Sequence, residues 1–128
     1  MDRVRVRNIG KFGYDVNDDL TKPGLYTIPI PNYSDNETRD GYEWIDVDII
    51  KVLTYPKVRG HVILGYDENN KSQMWYYNGN QKCFKRVFQD GIYGEVDKSE
   101  DIVLDFLVED AELDENEAYE VSKLFLSL

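Results

Sequence analysis

"HVILGYDENNKSQMWYYNGNQKCFKRVF", residues 61 to 88, decides the fold. It contains three apolar runs, "HVILGY" (61–66), "SQMWYY" (72–77) and "KCFKRVF" (82–88), separated by polar turn residues. Each run is short and rich in β-branched and aromatic residues, the composition of a strand rather than of a helix. The separators are "DENNK" and Asn78-Gly79. Asn-Gly readily takes the positive φ angles of a two-residue hairpin turn. Asp90-Gly91 repeats the signal and leads into "IYGEV" (92–96). The stretch therefore predicts a four-stranded antiparallel meander over about residues 61 to 96.

Upstream, "YEWIDVDIIKVLTY" (42–55) sets Ile45, Val47 and Ile49 against Trp44, Asp46 and Asp48. That alternation predicts one long strand with a buried and a solvated face, ended by Pro56. "LYTIPIP" (25–31) holds two prolines that remove ladder donors, so it can be only an edge strand or an extended loop. Val4 and Val6 alternate with Arg3, Arg5 and Arg7, a pattern for a short half-buried strand. "GYDVNDDLTKPG" (13–24) ends in turn residues, and "NYSDNETRDG" (32–41) has the composition of a loop.

Downstream the period changes. Ile102, Val103, Phe106 and Leu107 fall on one face of a helix, although "IVLDFLV" is short enough to compete as a strand. Asp114 and Glu117 have the spacing of a capping box, with Asp in place of Ser or Thr, before the stripe Ala118, Val121, Leu124, Phe125 and Leu128. The expected fold is α+β: an antiparallel sheet of five or six strands covered on one side by one or two acidic C-terminal helices. A chain of 128 residues, 41% hydrophobic and 13% aromatic, has the material for one core, so residues 1–128 are expected to form a single domain.

No apolar run approaches the roughly 20 residues of a membrane helix, and the first residues lack the apolar stretch of an export signal. The lone cysteine, Cys83, excludes an internal disulfide and fits a reducing compartment. A cytoplasmic protein is expected, in the host cytoplasm if it is viral.

Charge carries the functional argument. Residues 1–94 hold 13 acidic and 13 basic residues, whereas residues 95–128 hold 12 acidic and 2 basic. The whole net charge of −10 therefore lies in the last quarter of the chain. Such asymmetry points to an interaction surface. Free nucleic acid does not fit it, because phosphate binding depends on Lys and Arg. Solvated helices ordinarily intermingle Lys with Glu, and here only Lys98 and Lys123 interrupt the acids. The expected partner-binding residues are Glu100, Asp101, Asp105, Glu109, Asp110, Glu112, Asp114, Glu115, Glu117 and Glu120.

Catalytic signatures are weak. His61 is the sole histidine and has no nucleophile motif beside it. Asp46 and Asp48 share a strand face and could hold a cation or a proton, but the pattern equally describes a solvated face over Ile45, Val47 and Ile49. "DVNDDLT" imitates a calcium loop through Asp15, Asn17 and Asp19, yet Tyr26 stands at the twelfth place where a carboxylate is needed. No metal site and no cofactor is expected. Trp75, Tyr77 and Phe88, close to Lys82, Lys85 and Arg86, could form an aromatic binding platform, or they could simply be core.

The preferred expectation is a non-enzymatic acidic inhibitor that occupies the basic surface of a nucleic-acid-binding protein or nuclease. Two acidic residues per helical turn approach the linear charge density of a duplex, about one charge per 1.7 Å. Phage-type anti-defence proteins and immunity proteins work by such mimicry. The alternative is a structural or assembly module, for instance of a phage particle, that binds through Trp75, Tyr77 and Phe88. A small enzyme or nucleotide-binding protein using Asp46, Asp48 and His61 ranks third.

Overall fold

A computed structural model describes residues 3–6, 22–31, 42–54, 60–78, 83–88, 92–94 and 96–128. Its sheet contains β1 (Val4–Arg5), β2 (Gly24–Pro31), β3 (Tyr42–Leu53), β4 (Gly60–Tyr66), β5 (Ser72–Asn78) and β6 (Cys83–Arg86), in that spatial order. β1 runs parallel to β2, and every other neighbouring pair is antiparallel. Helix α1 (Glu100–Asp105) continues as a π-helical turn (Phe106–Asp110) and is followed by α2 (Glu115–Leu126). The α+β class, the antiparallel sheet and the C-terminal helices are those the sequence predicts.

The hairpin of β4 and β5 turns on Asp67. Its carboxylate accepts from the backbone N–H groups of Asn69 and Lys71, and Asn70 takes a φ of 59°. This is the Asx chemistry that makes Asp and Asn good turn residues. Burial opposes the Asp67 charge, but these bonds, a third from Gln73 and the Arg86 charge together hold its carboxyl below the usual range. The expected tight turn at Asn78-Gly79 is corrected: Asn78 is the last residue of β5 and pairs with Cys83, so four residues, 79–82, connect the strands in place of two. Asp90-Gly91 lies outside the described residues.

The meander differs from expectation at both ends. It begins earlier, since β2 through β6 are consecutive antiparallel neighbours. It also ends earlier. In place of a fourth strand at "IYGEV", Ile92 and Tyr93 form a turn whose N–H groups bond to the carbonyls of Arg86 and Val87. Gly94 follows with a φ of 68° and a single bridge.

β2 tolerates its prolines for a readable reason. The Thr27 carbonyl accepts from Val6 N–H, so odd-numbered residues of β2 turn their backbone groups toward β1. Pro29 and Pro31 share that parity, beyond the two residues that β1 pairs. Their missing donors therefore fall where no strand needs them. β1 is shorter than the Val-Arg alternation suggests: Val6 is buried, but Val4 is 44% exposed.

Each face of the sheet carries its own buried cluster, although the outer face of β3 is exposed at Asp46 and Asp48. Ile28, Ile45, Val47, Ile63, Trp75 and Phe84 occupy the inner face, over which the sheet curls until β2 comes close to β6. Val62, Leu64, Met74 and Tyr76 occupy the outer face, against Val103, Phe106, Leu107, Val121 and Phe125 of the helices. The bend is built at one place. A bulge between Ile49 and Lys51 reverses the alternation of β3, so Ile49 points to the inner cluster and Leu53 to the outer one. Across from it, Gly65 pairs with Ile49, where a Cβ would lie 2.1 Å from the Asp48 carbonyl oxygen. Only glycine permits so close an approach.

Candidate functional site

The helical layer is tied down by its own termini. Ser99 caps α1, its hydroxyl accepting from Ile102 N–H at 3.3 Å. Asp114 and Glu117 form the predicted capping box on α2: Glu117 N–H donates to Asp114 at 2.8 Å, and Asp114 N–H donates to Glu117 at 3.3 Å. The segment over 102–107 is helical, which decides between the two readings of "IVLDFLV". Its second half is wound as a π-turn, with Ala111 N–H bonding back five residues to the Phe106 carbonyl. Glu112 then takes a φ of 62°, reversing the chain so that Leu113 tucks its N–H onto the Leu107 carbonyl.

Tyr76 meets Phe106 edge-on at 5.5 Å, and Phe88 stacks on Phe125 at 5.7 Å. Such pairs add about 0.5–1.5 kcal/mol each beyond their burial. Lys98, one of the two cations of the acidic quarter, is turned inward. Its ammonium donates to the backbone carbonyl and the hydroxyl of Ser72 and lies 5.2 Å from the Phe125 ring centroid. It is thereby directed to β5 and not to the acids.

The ten expected carboxylates divide into three groups. Asp110, Glu112, Asp114 and Glu117 serve the local fold. Asp110 accepts from the Tyr93 hydroxyl at 3.0 Å, Glu112 occupies the left-handed turn, and the other two cap α2. Glu100 and Glu120 are exposed on the helices. Asp101, Asp105, Glu109 and Glu115 come together around a groove of about 590 Å³ between the first helical segment and α2. Its remaining lining is Leu104, Val108, Asn116 and Tyr119. None of these four rim acids has an ion-pair partner among the described residues.

The negative field is felt by a neighbour. Burial, the hydrogen bond to Asp110 and the charges of Asp110, Asp105 and Glu109 together push the Tyr93 hydroxyl well above the ordinary tyrosine range. Forming a phenolate beside three carboxylates is costly, and the direction of the shift expresses that cost. Tyr119 is 45% exposed, and the Lys123 ammonium sits 4.6 Å over its ring. That ring therefore already accepts a cation in this setting.

Leu104, Val108 and Tyr119 were missed by motif reading, yet a signal exists. Residues 102–108 carry six apolar side chains, more than one core-facing stripe needs. Leu104 and Val108 pack against the outer cluster too, but each is only partly buried. They sit four apart, interleaved with Asp101, Asp105 and Glu109, and therefore form a second face.

The other candidates occupy different places. Trp75 and Phe88 are wholly buried and Tyr77 is 6% exposed, so all three rings are core and no aromatic platform is presented there. β4 and β5 are covered on both faces, so their aromatic side chains fall inside. Asp46 and Asp48 are exposed on β3, with Asp46 accepting from the Thr27 hydroxyl at 2.7 Å and facing Arg3 at 3.7 Å. Arg5 stacks at 3.8 Å over the Trp44 ring. His61 is half-buried beside Tyr77, with ring centroids 6.2 Å apart, and burial lowers its pKa. Among the described residues no group of three or more His, Cys, Asp or Glu is placed to hold a metal ion. No helix among them is long and apolar enough to cross a membrane. The calcium-loop imitation at Asp15, Asn17 and Asp19 lies outside the described residues.

Comparison of the chain with protein-family models, curated proteins and solved structures finds no match in any of the three.

Proposed function

We propose that this is a non-enzymatic acidic binding protein that blocks a basic, nucleic-acid-binding surface on a partner protein. One observation carries the reading: Asp101, Asp105, Glu109 and Glu115 converge on one exposed groove without an ion-pair partner among the described residues. Like charges four apart on a helix destabilise it, so concentrating them has a structural cost that a cationic partner would offset. Asp101, Asp105 and Glu109 follow an i, i+4, i+8 spacing, about 6 Å between successive positions. That is close enough to present a continuous anionic ridge to Lys and Arg side chains that otherwise bind phosphates. An inhibitor of the anti-defence or immunity type, acting in the host cytoplasm, would have this design. The platform reading has less support, because Trp75, Tyr77 and Phe88 would have to leave the core.

The test is a pulldown from host lysate at low and high salt, with the retained protein then challenged by duplex DNA. The expected partner is basic, elutes with salt and is displaced by the duplex. Retention that ignores both salt and DNA would exclude the proposal.

A further inference from the structure

Charge mimicry alone does not require an apolar floor, and this groove has one. Leu104 and Val108 of the first helical segment and Tyr119 of α2 line it together with Asp101, Asp105, Glu109 and Glu115, and Leu104 and Val108 are less exposed than the acids. The groove, of about 590 Å³, is open to solvent along its length and could take side chains of a partner laid across it. Phosphate mimicry needs only a charged ridge; apolar side chains left in contact with water gain only from an apolar partner.

We infer that the groove seats a basic peptide segment of the partner, one that presents an apolar side chain between Lys or Arg residues. The inference rests on the acidic-binder reading above and specifies what that binder grips. The apolar residue enters between Leu104, Val108 and Tyr119. The flanking cations reach the Asp101, Asp105 and Glu109 wall on one side and Glu115 on the other. Tyr119 offers a ring on which an arginine stacks, as Lys123 does within the chain. A second copy of this chain is a poorer occupant. A self-complementary dimer at this groove would set two acidic walls against each other, while Arg3 and Arg5 are engaged by Asp46 and Trp44. Polarity thus assigns specificity: the acids choose basic partners and steer the encounter, and the floor selects among them.

Two synthetic peptides of equal charge test this, one with leucines between its arginines and lysines and one with serines in their place. Affinity is measured by fluorescence anisotropy, and the contact is mapped by amide chemical shifts. The leucine peptide should bind about 10- to 100-fold more tightly, as full burial of one or two apolar side chains implies. It should shift Leu104, Val108 and Tyr119, and lose most of its advantage with Tyr119→Ser. That residue is exposed, so the variant should fold, which the same spectra verify. Equal affinity of the two peptides, or shifts that avoid the floor, overturns the groove inference and leaves the acidic-binder reading standing. Failure of both peptides to bind at low salt sinks the acidic-binder reading itself.

Discussion

The Lys98 ammonium lies 5.2 Å above the Phe125 ring while donating to the Ser72 carbonyl, so one side chain joins α2 to the edge of β5. Burial lowers the pKa of this amine, yet its ammonium form is held by two acceptors on Ser72. Lys98→Met keeps the aliphatic stem and removes the bond. A loss of about 1 kcal/mol in chemical denaturation is expected, at the lower end for a charged hydrogen bond because the group is part-exposed. An unchanged midpoint would show that the tether contributes nothing.

Phe125 itself is the larger determinant. It is 1% exposed and stacked on Phe88. Phe125→Ala should cost about 3–5 kcal/mol, the range for a fully buried ring. Denaturant unfolding measures it, and a loss below about 1 kcal/mol would remove α2 from the core.

Gly65→Ala tests the bend in the sheet. The added methyl would meet the Asp48 carbonyl oxygen at 2.1 Å, and that oxygen belongs to backbone fixed in the ladder. β3 and β4 would have to part at the bulge. A destabilisation of at least about 1–3 kcal/mol is expected. A structure of the variant with both register and stability intact would refute this account of the curl.

These elements show what the sequence could and could not convey. Period and turn chemistry are local, so β3, β4, β5, the capping box and the α2 stripe were all legible. The bulge at Ile49 and Lys51 was not, because the run "DIIKVL" is apolar on both sides of it and hides the change of parity. "IYGEV" has a strand's composition, but Gly94 takes a left-handed φ and the chain turns there instead. The acidic segment was visible as composition. Its sorting into caps, a turn and a groove rim was not, because that depends on how α1 and α2 pack.

His61 should make stability sensitive to mild acid. Burial lowers its folded pKa below the unfolded value of about 6.5. Between the two values the unfolded chain binds more protons, so stability rises with pH through that window. The contribution of the neutral ring is therefore present above about pH 6.5 and is lost as pH falls through the folded pKa. Relief of carboxylate repulsion acts in the opposite direction at lower pH, so the comparison must be with His61→Gln. Thermal melts from neutral to mildly acid pH should fall more steeply for the parent chain than for the variant; parallel curves would contradict the assignment.

Neutralising the groove rim separates function from folding. Asp101→Asn, Asp105→Asn, Glu109→Gln and Glu115→Gln together remove four charges that have no ion-pair partner among the described residues. Asp101, Asp105 and Glu109 repel one another along one helix face, and relief of such pairs is worth about 0.2–0.5 kcal/mol each. Asp101 and Glu115 lie in the first turns of α1 and α2, where each charge favours the helix dipole by about 0.3–1 kcal/mol. The dipole loss exceeds the relieved repulsion by no more than about 1 kcal/mol, so the melting temperature should fall by only a few degrees. Binding to the basic partner should collapse, with slower association at low salt because steering is lost. A second variant, Asp114→Asn with Glu117→Gln, also removes two acids but leaves an amide oxygen to accept each capping bond. It should lose only what the two charges contribute at the helix N-terminus, up to about 1 kcal/mol, and keep most of its affinity. Surface plasmon resonance at two salt concentrations, run beside the melts, reads both. If the cap variant lost binding as fully as the rim variant, total charge rather than the groove would be what the partner recognises.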